Sequence, residues 1–393
     1  MVGRVKNGVI GVLSLIMLLG VITTANAQVT EDSGSVAAPL GPGEGAAFAM
    51  SNRSTGNEIV TYRRAADGTL TRTGRVPTGG NGLGTDLDTQ GALLLSSDHR
   101  YLYAANAGSD DVSVFAVDGT QLTLLQRVAA GDVPNSLTIH DDLLYVLDGS
   151  VAGNGIRGFT RAADGTLTEI PKSFRLLSSP IAVPGQVAFS PDGRLLVVTQ
   201  KTTNTLLPPA NAIDVFQVDG NGLASTLPRR NASNGIRPFS MAFRDDGRLL
   251  VVESFNAAPG ASAVSSYDVR ANGSFEVISG SVPNLQTDSC WIVITDNGRF
   301  AFTANFGSGT ISSYRIDPAG QIQLLDDRAA FLSLFSQPVD LALSSDSRYL
   351  YLLMRGTVGV AAFKVQDKGG LTPLGVTTGG LPVADGASGL AVY

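Results

Sequence analysis

Residues 91–119, GALLLSSDHRYLYAANAGSDDVSVFAVDG, contain the pattern that decides the fold. An apolar strand is followed by a tight turn around Asp98, a second apolar strand from Tyr101, a polar loop, and an alternating strand that passes through Phe115. The pair Asp118-Gly119 then begins another tight turn, because glycine adopts the positive φ that short hairpins require. The stretch therefore predicts three consecutive antiparallel strands, with a fourth after the Asp-Gly turn.

The same pattern recurs along the rest of the chain. Two further clear copies are CWIVITDNGRFAFTANFGSGTISSYRIDPAG from Cys290 and VDLALSSDSRYLYLLMRGTVGVAAFKVQDKG from Val339. An aromatic residue of the third strand marks seven copies: Tyr62, Phe115, Phe159, Phe216, Tyr267, Tyr314 and Phe363. These residues are 53, 44, 57, 51, 47 and 49 positions apart, close to the period of propeller blades. The sequence predicts an all-β fold, a seven-bladed β-propeller of four-stranded antiparallel blades.

The two ends of the repeat region complement each other. The first copy, which starts near Ala46, has only three strands, whereas the last residues, GASGLAVY, look like an isolated first strand. We expect residues 389–393 to pair beside residues 48–51 and so complete the seventh blade. This exchange closes the ring and removes two exposed strand edges.

The first 27 residues have the pattern of a secretory signal peptide. Arg4 and Lys6 precede an uncharged apolar run of 14 residues, 9–22, and small residues then lead to a cleavage site between Ala27 and Gln28. The alternative is an uncleaved membrane anchor, although a spanning helix needs about 20 apolar residues. Residues 28–44 are rich in small residues and predict a flexible leader before a propeller at 45–393. The expected location is secreted, periplasmic or in the cell envelope, without membrane insertion after cleavage.

The charge and cysteine content exclude several classes of partner and linkage. Loss of Arg4 and Lys6 takes the formal net charge from −6 to −8, which argues against a nucleic-acid partner, since such partners require basic patches. The single Cys290 forms no intrachain disulfide, and we interpret it as a buried thiol. No phosphate-binding loop and no spaced metal-ligand motif is present, so we expect no metal and no cofactor.

The copies SSDHRYLYAANAGSDDVSVF and TDNGRFAFTANFGSGTISSY resemble the YVTN-type repeat of the lactonase-like propellers. That family includes bacterial 6-phosphogluconolactonase and fungal carboxymuconate lactonising enzyme, and the resemblance covers about residues 45–393. It implies a His, an Arg and a Glu around the mouth of the central channel, with the His in an R-H-x-x-F-like segment at the start of an innermost strand. The comparable segments, 185–189 and 239–243, have Gln186 and Ser240 in the place of that His.

One predicted blade contributes two ionisable groups to the loops at the expected mouth. Arg237 precedes an innermost strand in GIRPFSMAF, and Glu253 ends the next strand in LLVVESFN. A carboxylate that activates water beside a guanidinium that binds a carbonyl is suited to lactone chemistry, so both residues are candidate catalytic groups. The alternative is a structural Arg–Glu pair that holds adjacent loops.

Further side chains are expected to line the same mouth. The candidate ligand-binding residues are Gln186, Gln200, Trp291, Asn305 and Asp340, and Asp288 and Arg355 are expected on the same face. For Asn305 and Trp291 the alternatives are a hydrogen bond to the adjacent loop and packing between blades. Both histidines, His99 and His140, lie in turns between first and second strands, on the opposite face, and are not candidates.

Two functions follow from these observations as competing hypotheses. One is a hydrolase or cyclase that acts on a small lactone or organic acid. The other is a non-catalytic extracellular propeller that binds a ligand or a protein partner through the same face, and the missing His favours it. A structural envelope protein is a weaker third hypothesis.

Overall fold

The computed structural model describes residues 39–150, 153–179, 183–202 and 211–393. The predicted signal peptide and residues 28–38 of the predicted leader lie outside these ranges. Seven antiparallel sheets form a seven-bladed propeller, as predicted, and each has four strands except that the outer strand of blade 3 is split into two pieces. Within the described residues, no helix has the length and apolarity needed to cross a bilayer.

The strands follow the predicted order along the chain. Blades 1 to 3 contain β1 (Gly45–Met50), β2 (Glu58–Arg64), β3 (Leu70–Pro77), β4 (Leu93–Leu95), β5 (Tyr101–Asn106), β6 (Asp111–Asp118), β7 (Gln121–Ala129), β8 (Pro134–His140), β9 (Leu143–Asp148), β10 (Gly155–Arg161), β11 (Leu167–Glu169) and β12 (Arg175–Leu176). Blades 4 and 5 contain β13 (Val183–Phe189), β14 (Leu195–Thr202), β15 (Ala212–Gln217), β16 (Arg229–Ala232), β17 (Pro238–Phe243), β18 (Arg248–Glu253), a 3-10 helix (Phe255–Ala257), β19 (Ala263–Val269) and β20 (Phe275–Pro283). Blades 6 and 7 contain β21 (Ser289–Ile294), β22 (Phe300–Asn305), β23 (Thr310–Ile316), β24 (Ile322–Phe331), β25 (Pro338–Leu343), β26 (Tyr349–Met354), β27 (Gly359–Val365) and β28 (Leu371–Thr378), and β29 (Leu390–Val392) ends the chain.

The C-terminal strand closes the ring. β29 is the innermost strand of blade 1, where Ala391 lies opposite Phe48. Two backbone bonds extend the pairing, from Met50 N to Gly389 O and from Tyr393 N to Ala46 O, each 3.0 Å long. The partner segment is therefore residues 46–50 rather than the predicted 48–51, because the antiparallel pairing places Gly389 opposite Met50, and Asn52 N bonds to Asn57 Oδ1 instead of the final strand.

The repeated tyrosines and glycines hold neighbouring blades together. Tyr351 in blade 7 donates a 2.8 Å hydrogen bond to Gly68 O in a turn of blade 1, and Tyr103 donates a 3.1 Å bond to Gly165 O in blade 3. Gly68 has a φ of 88°, and a β-carbon there would lie 2.2 Å from the ring of Tyr349. Glycine is thus required at position 68 both by the positive φ of the turn and by the close contact with the Tyr349 ring.

The second strands are the most buried elements of each blade. β5, β22 and β26 are buried at every position, whereas the outer strand β7 has a single buried residue and is otherwise exposed or partly buried. The innermost strands surround the central channel. The loops that enter these strands and the loops that leave the second strands share one face, which we call the mouth face.

Candidate functional site

A segment of chain crosses the central channel below the mouth face. β4 has only three residues because the preceding residues, 85–91, leave blade 2 and form this crossing segment. Thr89 Oγ1 donates to Gly185 O in blade 4 at 2.5 Å. The Gln90 amide pairs with the backbone of Ile292 in blade 6, donating to its carbonyl at 2.9 Å and accepting from its N–H at 3.1 Å. The channel is therefore spanned by a fixed strip of backbone.

The crossing segment brings Asp88 to two cationic side chains from different blades. Lys201 Nζ lies 2.7 Å and Arg237 Nη2 lies 3.3 Å from the same oxygen, Asp88 Oδ2. The Lys201 side chain is only 1 % exposed, and its ammonium lies 4.3 Å from the centre of the Phe239 ring. A buried ammonium needs such partners, because an unpaired charge away from water is costly. Two positive charges thus share one carboxylate at the mouth.

A second carboxylate, Asp288, lies on the other side of Arg237. Asp288 Oδ1 is 3.9 Å from Arg237 Nη1 and accepts a hydrogen bond from Cys290 Sγ at 3.4 Å. Burial raises the pKa of the Asp288 carboxyl above its ordinary value, and the charge of Arg237 offsets part of that rise. The side chain retains 19 % exposure, so the group remains accessible from the mouth. A carboxyl with a raised pKa beside a guanidinium is suited to exchange a proton with substrate or water.

Arg355 forms the opposite side of the site. Its guanidinium is paired with Asp86 of the crossing segment, lies 4.8 Å from the centre of the Phe306 ring and donates to Gln337 Oε1 at 3.4 Å. The arginine was expected on this face, whereas its carboxylate partner comes from the crossing segment. The crossing segment thus supplies two carboxylates that neutralise cations held by the blades: Asp86 pairs with Arg355, and Asp88 pairs with Lys201 and Arg237.

Glu253 is fully buried and lies in a network of its own. Its Oε1 accepts hydrogen bonds from Gly235 N at 2.8 Å and Ser265 Oγ at 2.6 Å, and its Oε2 accepts one from Ser281 Oγ at 2.6 Å. Burial raises the pKa of this carboxyl, while the serine hydroxyls oppose that change. Arg237 and Glu253 form no ion pair, and Arg237 instead contacts Asp88 and Asp288. The catalytic role of Glu253 stays a prediction. The hydrogen bond from Gly235 N to its carboxylate fixes the loop that carries Arg237.

The five predicted ligand-binding residues are spread over several inner strands and blades. Trp291 lies beneath the crossing segment, where its Nε1 donates to Thr89 O at 2.7 Å and its ring packs 5.2 Å from that of Phe239. Gln186 Oε1 accepts from Met241 N at 2.8 Å and so links the inner strands of blades 4 and 5.

The other three make contacts away from the cation cluster. Gln200 donates to Asp214 and to Ser178, Asn305 bonds Ser289, Thr310 and Ser312, and Asp340 accepts from Gly389 N at 2.8 Å. Roles for these five residues in ligand binding stay predictions, and Arg237 is the predicted residue that contacts both mouth carboxylates.

His99 lies in the turn where the sequence predicts it, whereas His140 is the last residue of β8, directly before the predicted turn. His99 stacks on Tyr393 with ring centres 4.7 Å apart, and His140 Nε2 lies 3.1 Å from Pro191 O. No group of three or more His, Cys, Asp or Glu side chains with the geometry of a metal site occurs in the described part of the chain.

Sequence reasoning missed Asp88 and Lys201. Lys201 directly follows Gln200 near the end of β14, at the position equivalent to Phe306 and Arg355, which follow the second strands of blades 6 and 7. Comparison of that single position among the copies would have identified a residue pointing to the mouth. Asp88 had no such signal, because GTDLDTQG has the composition of an ordinary loop.

A family model for the seven-bladed lactonase β-propeller matches residues 56–184 and 254–333, more than half of the chain. The chain belongs to this lactonase family. A 6-phosphogluconolactonase of Serratia proteamaculans is 28 % identical over 267 residues, which cover 66 % of this chain and 75 % of that protein.

Solved structures agree on the architecture. A protein from Lactobacillus plantarum has a TM-score of 0.69 at 17 % identity and covers 88 % of this chain and 98 % of its own. The periplasmic gluconolactonase PpgL of Pseudomonas aeruginosa has a TM-score of 0.62 at 17 % identity, with 89 % of this chain and 99 % of its own covered. At these identities the likeness shows the fold alone.

Proposed function

We propose that this lactonase-family propeller hydrolyses a small lactone, of the sugar-acid type, at the mouth of its central channel. The observation that carries the proposal is that Arg237 and Asp288, both partly exposed, lie side by side at the mouth, with a raised pKa at the Asp288 carboxyl, while the buried Lys201 fixes Asp88 against Arg237. A curated relative is a 6-phosphogluconolactonase, which is consistent with lactone chemistry in this family.

The three groups have complementary roles in ring opening. Asp288 in its ionised form accepts a proton from water as the water oxygen bonds to the lactone carbonyl carbon. The negative charge that develops on the carbonyl oxygen is stabilised by Arg237, which is already oriented by Asp88, and the buried Lys201 holds that carboxylate in place. The acyl carbon–oxygen bond of the ring then breaks, and the proton on Asp288 passes to the leaving alkoxide. The product is a hydroxy acid.

Glu253 supports this arrangement from beneath. Its carboxylate holds Gly235 N, two residues before Arg237, and a β-carbon at Gly235 would lie 2.2 Å from Glu253 Oε2. The side chain is fully buried, whereas Asp288 keeps access to the opening. We therefore assign proton transfer to Asp288 and the positioning of Arg237 to Glu253.

Binding without turnover is the second candidate function. One observation favours it: the amide of Gln186, at the place of the family's His, is engaged by Met241 N, and both histidines lie on the opposite face. The partly exposed guanidinium of Arg237 would then hold the carboxylate of an organic acid.

Hydrolysis assays separate the two functions. Purified protein is tested in a pH-stat with glucono-δ-lactone, 6-phosphogluconolactone and γ-butyrolactone. We expect Asp288→Asn to lower kcat by about 10²- to 10⁴-fold, the usual contribution of a general base. Arg237→Gln should lower kcat/KM, and Arg194→Gln, whose side chain is 81 % exposed on the opposite face, is the matched control.

The pH profile provides a second measurement. Activity should rise with pH as Asp288 ionises, and this limb should disappear in the Asp288→Asn protein. Turnover that both Asp288→Asn and Arg237→Gln leave unchanged contradicts the proposed site. Absence of turnover in the wild type, together with binding of gluconate that Arg237→Gln weakens, supports the binding function instead.

A further inference from the structure

A cavity on the face opposite the mouth differs in charge from its neighbours. It has a volume of about 470 Å³, lies between blades 5 and 6, and is lined by Arg244, Arg299 and Arg315 together with Phe300 and Asp317. The adjacent cavity between blades 4 and 5, of about 290 Å³, is lined by Arg194 with Asp192, Asp245 and Asp246. The cavity between blades 5 and 6 thus has an excess of positive charge, whereas the equivalent cavity between blades 4 and 5 has an excess of negative charge.

The internal repeat explains why Arg299 has no acidic partner. In other blades the arginine that begins the second strand follows an aspartate two residues earlier: Asp98 and Arg100, Asp192 and Arg194, Asp246 and Arg248, Asp346 and Arg348. Three of these pairs lie within ion-pair distance, at 3.9, 2.5 and 3.8 Å in blades 4, 5 and 7. Blade 6 has Asn297 in place of the aspartate, so Arg299 loses this partner.

The neighbouring charges do not replace it. Arg299 and Arg315 are both exposed, and the Arg299 guanidinium lies 5.4 Å from the centre of the Phe300 ring; among the described residues neither arginine has an acidic group within 4.0 Å. The Asp317 carboxylate is held by the backbone N–H groups of Ala319 and Gln321, each at 2.8 Å. Asp246 is shared between Arg244 at 3.0 Å and Arg248 at 2.5 Å.

Arg244 forms the inner wall of the cavity. Its side chain is 13 % exposed, Nη1 donates to Asp317 O at 2.8 Å, and Nε is buried without a hydrogen-bond partner. A buried donor without a partner favours an acceptor that enters from the cavity.

We propose that this cavity binds a tetrahedral oxyanion, the phosphate or sulfate group of a small ester, through Arg244, Arg299 and Arg315. Guanidinium groups present forked donors that match the oxygens of such anions. The volume exceeds that of the anion alone, so there is space for the organic part of a phosphate monoester. The site lies on the opposite face from the lactone site and is independent of the proposed function.

The test is titration calorimetry of the full folded protein with inorganic phosphate and with glycerol 2-phosphate, in buffers matched for ionic strength with chloride. We expect Arg299→Gln and Arg315→Gln each to weaken phosphate binding at least about tenfold, as the loss of one charge-assisted contact implies. Asn297→Asp, which restores the pair found in other blades, should weaken it similarly. Tighter binding of glycerol 2-phosphate than of phosphate identifies an organic ester as the ligand, and equal binding identifies the free ion.

Two controls separate this site from the mouth. Arg194→Gln changes the equivalent arginine of blade 4, and Arg237→Ala removes a mouth cation; neither should alter phosphate affinity. Phosphate binding that disappears in Arg237→Ala but persists in Arg299→Gln and Arg315→Gln overturns the proposal, as does the absence of binding above that of chloride. Unchanged thermal unfolding of the variants shows that the propeller itself is intact.

Discussion

Asp340 provides a quantitative test of the ring closure. Its side chain is 3 % exposed and accepts a hydrogen bond from Gly389 N, at the start of the C-terminal strand. Burial raises the pKa of Asp340 from 3.8 to about 7, while the bonds from Gly389 and Leu390 act in the opposite direction. Between these two values the folded protein binds a proton that the unfolded chain has released. Stability must therefore fall as pH rises from about 4 to about 7.

The size of the effect follows from the two pKa values. A difference of about 3 units corresponds to roughly 4 kcal/mol of unfolding free energy, which is lost by pH 8. Asp340→Asn keeps an oxygen acceptor for Gly389 but cannot ionise. We expect the variant to match the wild type near pH 4 and to be more stable by up to about 4 kcal/mol at pH 8.

Urea denaturation followed by circular dichroism at pH 4, 6 and 8 measures this difference. Asp98→Asn is the control of opposite sign. The Ser96 hydroxyl lowers the pKa of the Asp98 carboxyl, which lies in an exposed turn. The contribution of Asp98 to the unfolding free energy is therefore lost as pH falls. Parallel pH profiles for the wild type and Asp340→Asn would refute the reasoning.

Three further predictions test other parts of the molecule. Deletion of residues 389–393 removes the inner strand of blade 1, including the buried Leu390, and should cost at least about 4 kcal/mol in urea denaturation; an unchanged midpoint would show that closure is dispensable. Glu253→Gln should raise KM several-fold, because it loosens the loop that carries Arg237, while kcat still rises with pH as in the wild type. If kcat no longer rises with pH in this variant, Glu253 rather than Asp288 is the general base. In a host with a secretory pathway, mass spectrometry of the exported protein should give Gln28 as the first residue, and an intact Met1 would favour the anchor.

The fold was predictable because each local rule is repeated seven times. An apolar second strand, a glycine-containing turn and an aromatic third strand recur at nearly constant spacing, so a copy that departs from the pattern is still identified by comparison with the others. The position of the final strand followed from the missing strand of blade 1. The register of that strand did not follow, because the choice between 46–50 and 48–51 depends on the local hydrogen bond from Asn52 N to Asn57 Oδ1, which ends the pairing after Met50.

The site was only partly predictable, because it depends on the one segment that departs from the repeat. Arg237 lies where the copies place an ordinary loop residue, so position alone assigned it to the mouth face. Asp88 and Lys201 are 113 positions apart, and no periodicity relates them. Their contact exists because blade 2 shortens its inner strand and sends residues 85–91 across the channel.

The crossing segment also changes how the predicted arginine–glutamate pair is understood. The sequence placed Arg237 and Glu253 in one blade and allowed either a shared site or a structural pair. The structure instead surrounds Arg237 with Asp88 and Asp288 and places Glu253 beneath its loop. A guanidinium that is already neutralised from another blade does not need Glu253 as a counterion, and Glu253 satisfies its own oxygens with serine hydroxyls and a backbone N–H. Asp88, the carboxylate that orients Arg237 and Lys201, therefore comes from the exception to the repeat, and a repeat-based prediction could identify the arginine and place Asp288 on the same face but could not identify Asp88.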